Sequence, residues 1–439
     1  MKRILVLFLV LSLQATAQSN LNKIDSLLQY YNTHNKMMGQ FAMKLANNNI
    51  YKNAFGHKAN PTIVVTNDSR FRIGSITKMF TATLILQLVE EKKLNLNDKI
   101  NRFFPDLEKG KQISIEMLLR HRSGIPDYNL NQYLDLQNTN QTKEAVINKI
   151  CQQALEFEPD SKTKFSNSNY LLLGQIIEQL TQKTYSENLL QHICKPLNLY
   201  FTAIGDASTT NNSTEVLSYE LVNKQWQEKP STQVRLVDAA NGIVSTATDL
   251  TTFINALFTN QLIRKETLAL MTQTKDGFGL GITQIPIGDR KFFGHAGRID
   301  GFEAAVLYYP SEKLGLAALY NGVQTNTNQL NVSILSIYYQ QPFMFPDFTD
   351  LPISEIVLKT YEGIYKCEPL QVEIKIYMQQ GKLYAQASGQ NAFPLAAKSD
   401  TQFQFDPARI KIEFKKNQFT LNQPGTSYVF TKQKAVEKQ

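Results

Sequence analysis

Apolar and polar positions change period along this chain, and the changes mark out its elements. Phe41-Ala42-Met43-Lys44-Leu45, a polar turn at Asn47-Asn48-Asn49, and Ile50 to Phe55 predict a hairpin between Gly39 and Phe55. A helical pattern follows from Ile76 to Leu94. Its centre, Thr83-Leu84-Ile85-Leu86-Gln87-Leu88-Val89, is apolar on most sides, which predicts a buried helix. Further helical segments are expected at Ile113–Leu119, Lys143–Leu155, Tyr170–Gln182 and Asp249–Leu257. Two strand-like runs come next, Glu303 to Tyr309 and Leu314 to Tyr320, joined by Pro310-Ser311-Glu312-Lys313. Strands at both ends with helices between them predict an α+β fold, one sheet carrying a helical subdomain.

Near Gln340 the pattern breaks into a Pro- and Phe-rich linker, assigned to residues 341–352. Beyond it Val372, Ile374 and Ile376 alternate with Glu373 and Lys375. Short strand-like pieces recur at Leu383, Phe403-Gln404-Phe405, Ile410–Phe414, Phe419–Leu421 and Tyr428–Phe430, so residues 353–439 are expected to form a small all-β, barrel-like domain. At the other end, Lys2 and Arg3 precede an apolar run from Ile4 to Leu13 and the small-residue pattern Ala15-Thr16-Ala17. Residues 1–17 therefore read as a secretory signal, with the mature chain beginning near Gln18 and export to the periplasm expected. The run is about ten residues, too short to span a bilayer, which needs roughly 20, so no membrane span is expected. Residues 18–340 form the main domain on this reading.

Composition adds exclusions. With 42% hydrophobic and 19% charged residues the 439-residue chain is globular in balance. Its net charge is +8, or +6 once Lys2 and Arg3 leave with a signal that contains no Asp or Glu. The excess is spread without basic blocks, and nothing in it suggests nucleic acid as a partner. Cys151, Cys194 and Cys367 match no metal-site spacing and cannot all pair within one chain; one disulfide and three buried free thiols are both compatible with them. No metal or cofactor is expected, since zinc-ligand spacing and a glycine-rich phosphate loop are both missing from the sequence.

Chemistry concentrates at Ser75-Ile76-Thr77-Lys78. Residues three apart on a helix share a face, so the Lys78 amine can reach the Ser75 hydroxyl, and an apolar helix would depress the lysine's proton affinity enough to make it a base. A second quartet, Ser161-Lys162-Thr163-Lys164, follows Pro159-Asp160 in a polar loop with no buried helix to hold it, and is set aside.

Around the first quartet, Phe71-Arg72-Ile73-Gly74-Ser75-Ile76-Thr77-Lys78-Met79-Phe80-Thr81-Ala82 resembles the nucleophile segment of the serine β-lactamase and penicillin-binding-protein family, which includes class C β-lactamases, D-alanyl-D-alanine carboxypeptidases, D-aminopeptidases and esterases. Leu118-Leu119-Arg120-His121-Arg122-Ser123-Gly124-Ile125-Pro126, Asn169 to Glu178, and Asn241 to Ala247 with Asp249-Leu250 are similar to other stretches of that family, in the same order, between about residues 38 and 325. The resemblance implies an antiparallel sheet flanked by helices with a helical subdomain. It also implies a Tyr-x-Asn loop, which falls on Phe165-Ser166-Asn167: the Asn is kept and the Tyr is replaced by a residue without a hydroxyl. By residue type alone a turn-forming role is the lesser alternative for Asn167. The family's strand motif takes its His-x-Gly form at His295-Ala296-Gly297, and its oxyanion hole maps to the backbone N–H groups of Ser75 and Arg298. His34, His57, His121 and His192 are read as structural or surface residues.

These residues predict a serine hydrolase acting on a small-molecule or peptide substrate: Ser75 attacks, Lys78 takes the proton, Asn167 orients, His295 lines the site, and Phe165, Gly297 and Arg298 contact substrate. His295 in place of the strand Lys removes a fixed charge for a substrate carboxylate, and Phe165 removes a proton relay worth typically ~10²–10⁴ in rate, so esters are favoured over β-lactams. The alternative is a weak or inactive member that binds a peptide or acyl compound. Oligomeric state is not legible.

Overall fold

The computed structural model describes residues 19–56, 64–128, 142–205, 214–222, 225–343, 345–379, 381–390, 392–405 and 408–433, with Arg235 described by its backbone. The signal-like segment 1–17, the expected start at Gln18, and His57 lie outside the described residues. The chain separates into two compact units, residues 1–323 and 324–439.

In the first unit, strands β1 (Met37–Leu45), β2 (Asn48–Phe55), β3 (Thr283–Ile287), β4 (Arg290–Ile299), β5 (Phe302–Tyr309) and β6 (Leu314–Val323) form an antiparallel sheet in the order β2-β1-β6-β5-β4-β3. Sequence ends thus meet at the centre, where β1 pairs β6 from Leu45↔Leu314 to Met37↔Val323. A hairpin of Tyr219–Val222 and Gln225–Glu228 joins β6 in parallel through Tyr219↔Gly322. Both central strands are buried along nearly their whole length, which is why they read as near-continuous apolar runs rather than strict alternation.

Four helices position the site: α1 (Thr77–Glu90), α2 (Asn167–Thr181), α3 (Asp238–Asn241) and α4 (Ala247–Phe258). α4 starts at Thr246, whose side chain caps Asp249 N, and it lies on β1, β5 and β6. Phe80 of α1 stacks on Phe253 of α4, ring centroids 3.7 Å apart, so α1 forms the layer above α4. α1 is apolar all round because α2, α3 and α4 enclose it. It ends at Glu90, four residues before the expected Leu94, where Lys92 adopts a left-handed φ of 59° and turns the chain. α2 begins at Asn167, three residues before the expected Tyr170, so the Asn of the loop motif is already helical. The hairpin of β3 and β4 and the helices Thr327–Tyr338 and Glu355–Thr360 were not separated from loop by the sequence pattern.

The second unit places nine strands between Gly363 and Lys432 in one antiparallel sheet whose edge strands, Phe393–Pro394 and Ala396–Ala397, flank Leu395, so the barrel is nearly closed. Phe403, Phe414, Phe419, Phe430 and Tyr365 fill its interior. All three cysteines are free thiols. Among the described residues no helix is long and apolar enough to cross a membrane.

One buried ionic knot ties the sheet to the segment before α1. Arg72, in the short strand Phe71–Arg72, donates from Nε to Glu215 Oε1 (3.0 Å) and from Nη1 to Asp300 Oδ2 (2.9 Å) and Thr232 O (2.7 Å). Asp300 sits in the β4–β5 turn and also accepts from Thr232 N and Oγ1. Removing one member of a buried ion pair typically costs about 3–5 kcal/mol, because the partners stay buried and uncompensated. Arg72→Ala is therefore expected to lower stability by roughly that amount, read as a lower urea midpoint; an unchanged midpoint would show that the knot carries no net stability.

Candidate active site

The serine turn is built main chain against main chain. After Phe71–Arg72 the chain passes Ile73, enters a left-handed Gly74 (φ +51°) and makes one tight turn, Gly74–Ile76, before α1 begins at Thr77. A Cβ on Gly74 would lie 2.7 Å from Arg298 N, and one on Gly297 would lie 1.9 Å from Ile73 O and 3.0 Å from Ser75 N. Both positions therefore need glycine, the first for its φ as well. The contact brings together the two backbone segments, at Ser75 and Arg298, that the sequence assigns to an oxyanion hole. Ser75 is half-buried, whereas the rest of the turn is closed.

Lys78 lies one turn further on and is fully buried. Its Nζ is 2.9 Å from Ser75 Oγ, 2.7 Å from Asn167 Oδ1 and 2.9 Å from Ala240 O. An ammonium has three N–H donors, and here each has an acceptor. Burial nonetheless pulls the lysine down from 10.5 to about 7, with the Asp127 carboxylate opposing. The neutral amine keeps two N–H donors and gains a lone pair. Asn167 Oδ1 and Ala240 O can only accept, so they retain the two donors, and Ser75 is the partner left to give its proton to the lone pair. While the lysine is charged, the Ser75 hydroxyl donates instead to Asn241 Oδ1 at 3.0 Å.

Asn241 ends α3, and its Nδ2 donates to Asn167 Oδ1 at 3.1 Å. Asn167 in turn donates from its backbone N to Asp127 Oδ1 (2.6 Å) and from Nδ2 to Asp127 Oδ2 (3.3 Å). Neither Asn241 nor Asp127 was singled out as a site residue from sequence. Asn241 opens one of the stretches quoted for the family resemblance, and Asp127 directly follows another, so position was the signal; residue type was not.

The loop before Asn167 is held by the turn at His121, whose backbone φ is +57°. His121 is buried, accepts Ser166 N at Nδ1 (3.1 Å), and packs on Phe165, Tyr170 and Phe278. Burial and the neighbouring Lys78 hold it well below the ordinary histidine value, so it is a neutral acceptor. Arg122 binds Asp160, Thr163 and Asp276 and fixes the same loop from outside. Phe165 presents its ring face to Lys78 Nζ, 4.9 Å from the centroid. Tyr170 is also near, at 5.5 Å, yet its hydroxyl donates to Leu119 O and does not replace the missing one. The Ser161–Lys164 quartet is in a loop, with Ser161 bonded to Glu158 O and Lys164 paired with Glu156.

His295 on β4 is buried and couples electrostatically to Lys78. Its Nδ1 lies 2.5 Å from Ala296 O, and burial followed by the lysine's charge pushes it down to about 4, so it is neutral at pH 7. Arg298 points outward with its side chain 74% exposed and pairs with Glu303 at 3.0 Å. Ser75, Lys78, Asn167, Phe165, His295 and Gly297 thus meet at one place, while the Arg298 side chain leaves it and its backbone stays. His34 bonds Tyr30 O, and His192 sits half-buried in the Leu190–Cys194 turn.

A family model described as Beta-lactamase matches residues 25–336. Protein flp of Staphylococcus aureus (strain MW2) is 25% identical over 322 residues, 68% of this chain and 62% of that protein, so the chain spans under two thirds of the length of that relative. Teichoic acid D-alanine hydrolase of Staphylococcus aureus is 34% identical over 141 residues, 32% of this chain and 34% of that protein. The crystal structure of D-amino acid amidase from Ochrobactrum anthropi SV3 complexed with D-phenylalanine superposes with a TM-score of 0.64 at 25% identity, covering 74% of this chain and 100% of that one.

Gly297→Ala tests the close approach of the serine turn to β4. A methyl 1.9 Å from Ile73 O must displace β4 or the serine turn. Reaction of Ser75 with a fluorophosphonate is expected to slow at least about tenfold, while the far-ultraviolet dichroism stays native; an unchanged labelling rate would show that the contact tolerates a side chain.

Proposed function

This chain is a serine hydrolase of the beta-lactamase family, and we propose that Ser75 is its nucleophile and Lys78 its base, acting on small esters or amides of D-amino acids. The observation that carries the roles is that, of the three hydrogen-bond partners of the Lys78 amine among the described residues, Ser75 is the one able to hand it a proton. As Oγ attacks the acyl carbonyl, its proton passes to Nζ, and the backbone N–H groups of Ser75 and Arg298 receive the developing oxyanion. Lys78 then returns the proton to the departing oxygen or nitrogen, leaving an acyl-serine. Water enters the same path: Lys78 takes its proton as it attacks the acyl carbon and returns that proton to Ser75 Oγ as the acyl–Oγ bond breaks, which frees the product acid and restores the amine.

The substrate class rests on likeness to D-amino acid amidase and teichoic acid D-alanine hydrolase, and on what the site lacks. With His295 neutral and Arg298 engaged by Glu303, the His295–Arg298 segment of β4 offers no fixed cation to a substrate carboxylate. A charge-assisted hydrogen bond is worth about 1.5–3 kcal/mol, so penicillins are expected to acylate roughly 10–100-fold more slowly than uncharged acyl donors of similar reactivity. The charged segment and apolar run at residues 1–17 support export to the periplasm as part of the same proposal.

Intact mass after fluorophosphonate treatment is expected to show one adduct that disappears in Ser75→Ala; absence of any adduct in the native chain would favour a binding protein. Because the base must be neutral, kcat/KM is expected to rise with pH through about 7, the Lys78 value. Phe165→Tyr is expected to raise turnover of amides more than of activated esters, since it restores a hydroxyl where the leaving nitrogen is protonated. Equal or lower rates on both would mean that the pocket is built around the phenyl ring.

A further inference from the structure

We propose that Asp127 is a positioning residue of this reaction: it fixes the direction of the amide chain that ends on Ser75, and so keeps the Lys78 lone pair open to the serine. The proposal deepens, and rests on, the reading of Lys78 as base.

An asparagine amide is nearly symmetric in shape, so its orientation is decided by what it meets. Asp127, as a carboxylate, can only accept. It takes the Asn167 backbone N–H at 2.6 Å and the Nδ2 at 3.3 Å, which turns Asn167 Oδ1 toward Lys78 Nζ (2.7 Å) and Asn241 Nδ2 (3.1 Å). Asn241 Oδ1 is thereby left facing Ser75 Oγ at 3.0 Å. While Lys78 is an ammonium, its own N–H would enforce this direction. Once the lysine is neutral that constraint goes, and a reversed Asn167 would donate Nδ2–H to the lone pair, occupying the base in the protonation state that does the chemistry. Asp127 opposes the reversal because it would set Asn167 Oδ1 against a carboxylate.

Charge follows the same geometry. The groups facing Lys78 are Ser75 from the turn before its helix, Phe165, Asn167 and Tyr170 from the loop and α2, Ala240 and Asn241 from α3, His295 from β4 and His121 from the neighbouring turn. Both histidines are neutral near pH 7. Among the described residues Asp127 is the carboxylate that favours the ammonium, with Glu156 nearby disfavouring Asp127's own charge. Asp127 itself is exposed, so its field is open to salt.

The experiment is the pH profile of kcat/KM on a small D-alanyl ester for the native chain, D127N and D127E, at low and high salt. D127N is expected to move the acid limb down by about one unit and to lower the plateau roughly tenfold. Salt should move the native limb in the same direction and leave that of D127N in place. D127E, which keeps the charge, should hold its limb closer to the native one. A native limb near 7 that stays where it is in D127N overturns the role of Asp127 alone. A native profile with no ionisation near 7 overturns the Lys78 reading, and this assignment with it.

Discussion

An amine withdrawn from water beside a hydroxyl is the interaction on which the rest of this structure depends. Lys78 is fully buried in a helix whose other buried residues include Met79, Phe80, Ile85 and Leu86. Lowering its value from 10.5 to about 7 means that the folded state is destabilised by of the order of 5 kcal/mol at neutral pH and below. The sign follows from the depressed folded value of a base: the penalty is full below 7 and fades as pH rises toward 10.5. Burial of large apolar side chains stabilises by about 1.5–3 kcal/mol each, so a few of the neighbours that desolvate the amine also offset its penalty. The apolar character of α1 therefore serves stability and reactivity at once, and a more polar helix would lose both.

A desolvated amine is useful only if its partners are held to a fraction of an ångström, and the fold does this with backbone more than with side chains. The serine turn lies against β4 main chain to main chain, at two glycines. Arg72, anchored to Glu215, Thr232 and Asp300, clamps the strand before that turn to the loop after β4, so the two sides cannot slide independently. Ala240 O and Asn241 come from the end of α3, and the Asn167 loop is braced by a neutral His121 inside and by Arg122 outside. Each contributor to the site thus arrives on an element fixed elsewhere, which is what preorganised catalysis requires.

How much of this was legible in the sequence follows from how local each signal is. The quartet at Ser75 and the apolar run after it announced a buried lysine, because three-residue spacing and all-round hydrophobicity are both properties of one helix. The strand runs near residues 303–320 and the alternating tail were readable for the same reason. Helix ends were misjudged where a single residue decides them, as with left-handed Lys92, which carries no glycine to mark it. Asn241 and Asp127 were missed because their importance lies in contacts across 74 and 40 residues respectively. An asparagine at the end of a four-residue helix and an aspartate in a Pro-Asp turn look like ordinary punctuation until the chain is folded. Arg298 was half legible: its place after the glycine was right for its backbone, whereas the outward direction of its side chain is set by the pleat and by Glu303 across the sheet.

Phe165 remains the departure with the largest chemical consequence. A hydroxyl at that position would let one group take the serine proton and another protonate the leaving atom. Without it, and with the Tyr170 hydroxyl committed to Leu119 O, the proposed mechanism gives Lys78 both tasks in turn. A base near 7 is suited to that double duty, because amine and ammonium are then present in similar amounts at neutral pH. The phenyl face 4.9 Å from Nζ adds a weak preference for the charged form, which helps the capture of the serine proton and opposes its return. The substitution therefore shifts the site toward substrates whose leaving group asks little of the acid. This is the physical reason to favour esters over amides under the proposed roles, and it rests on reading Phe165 as the position of the family's Tyr.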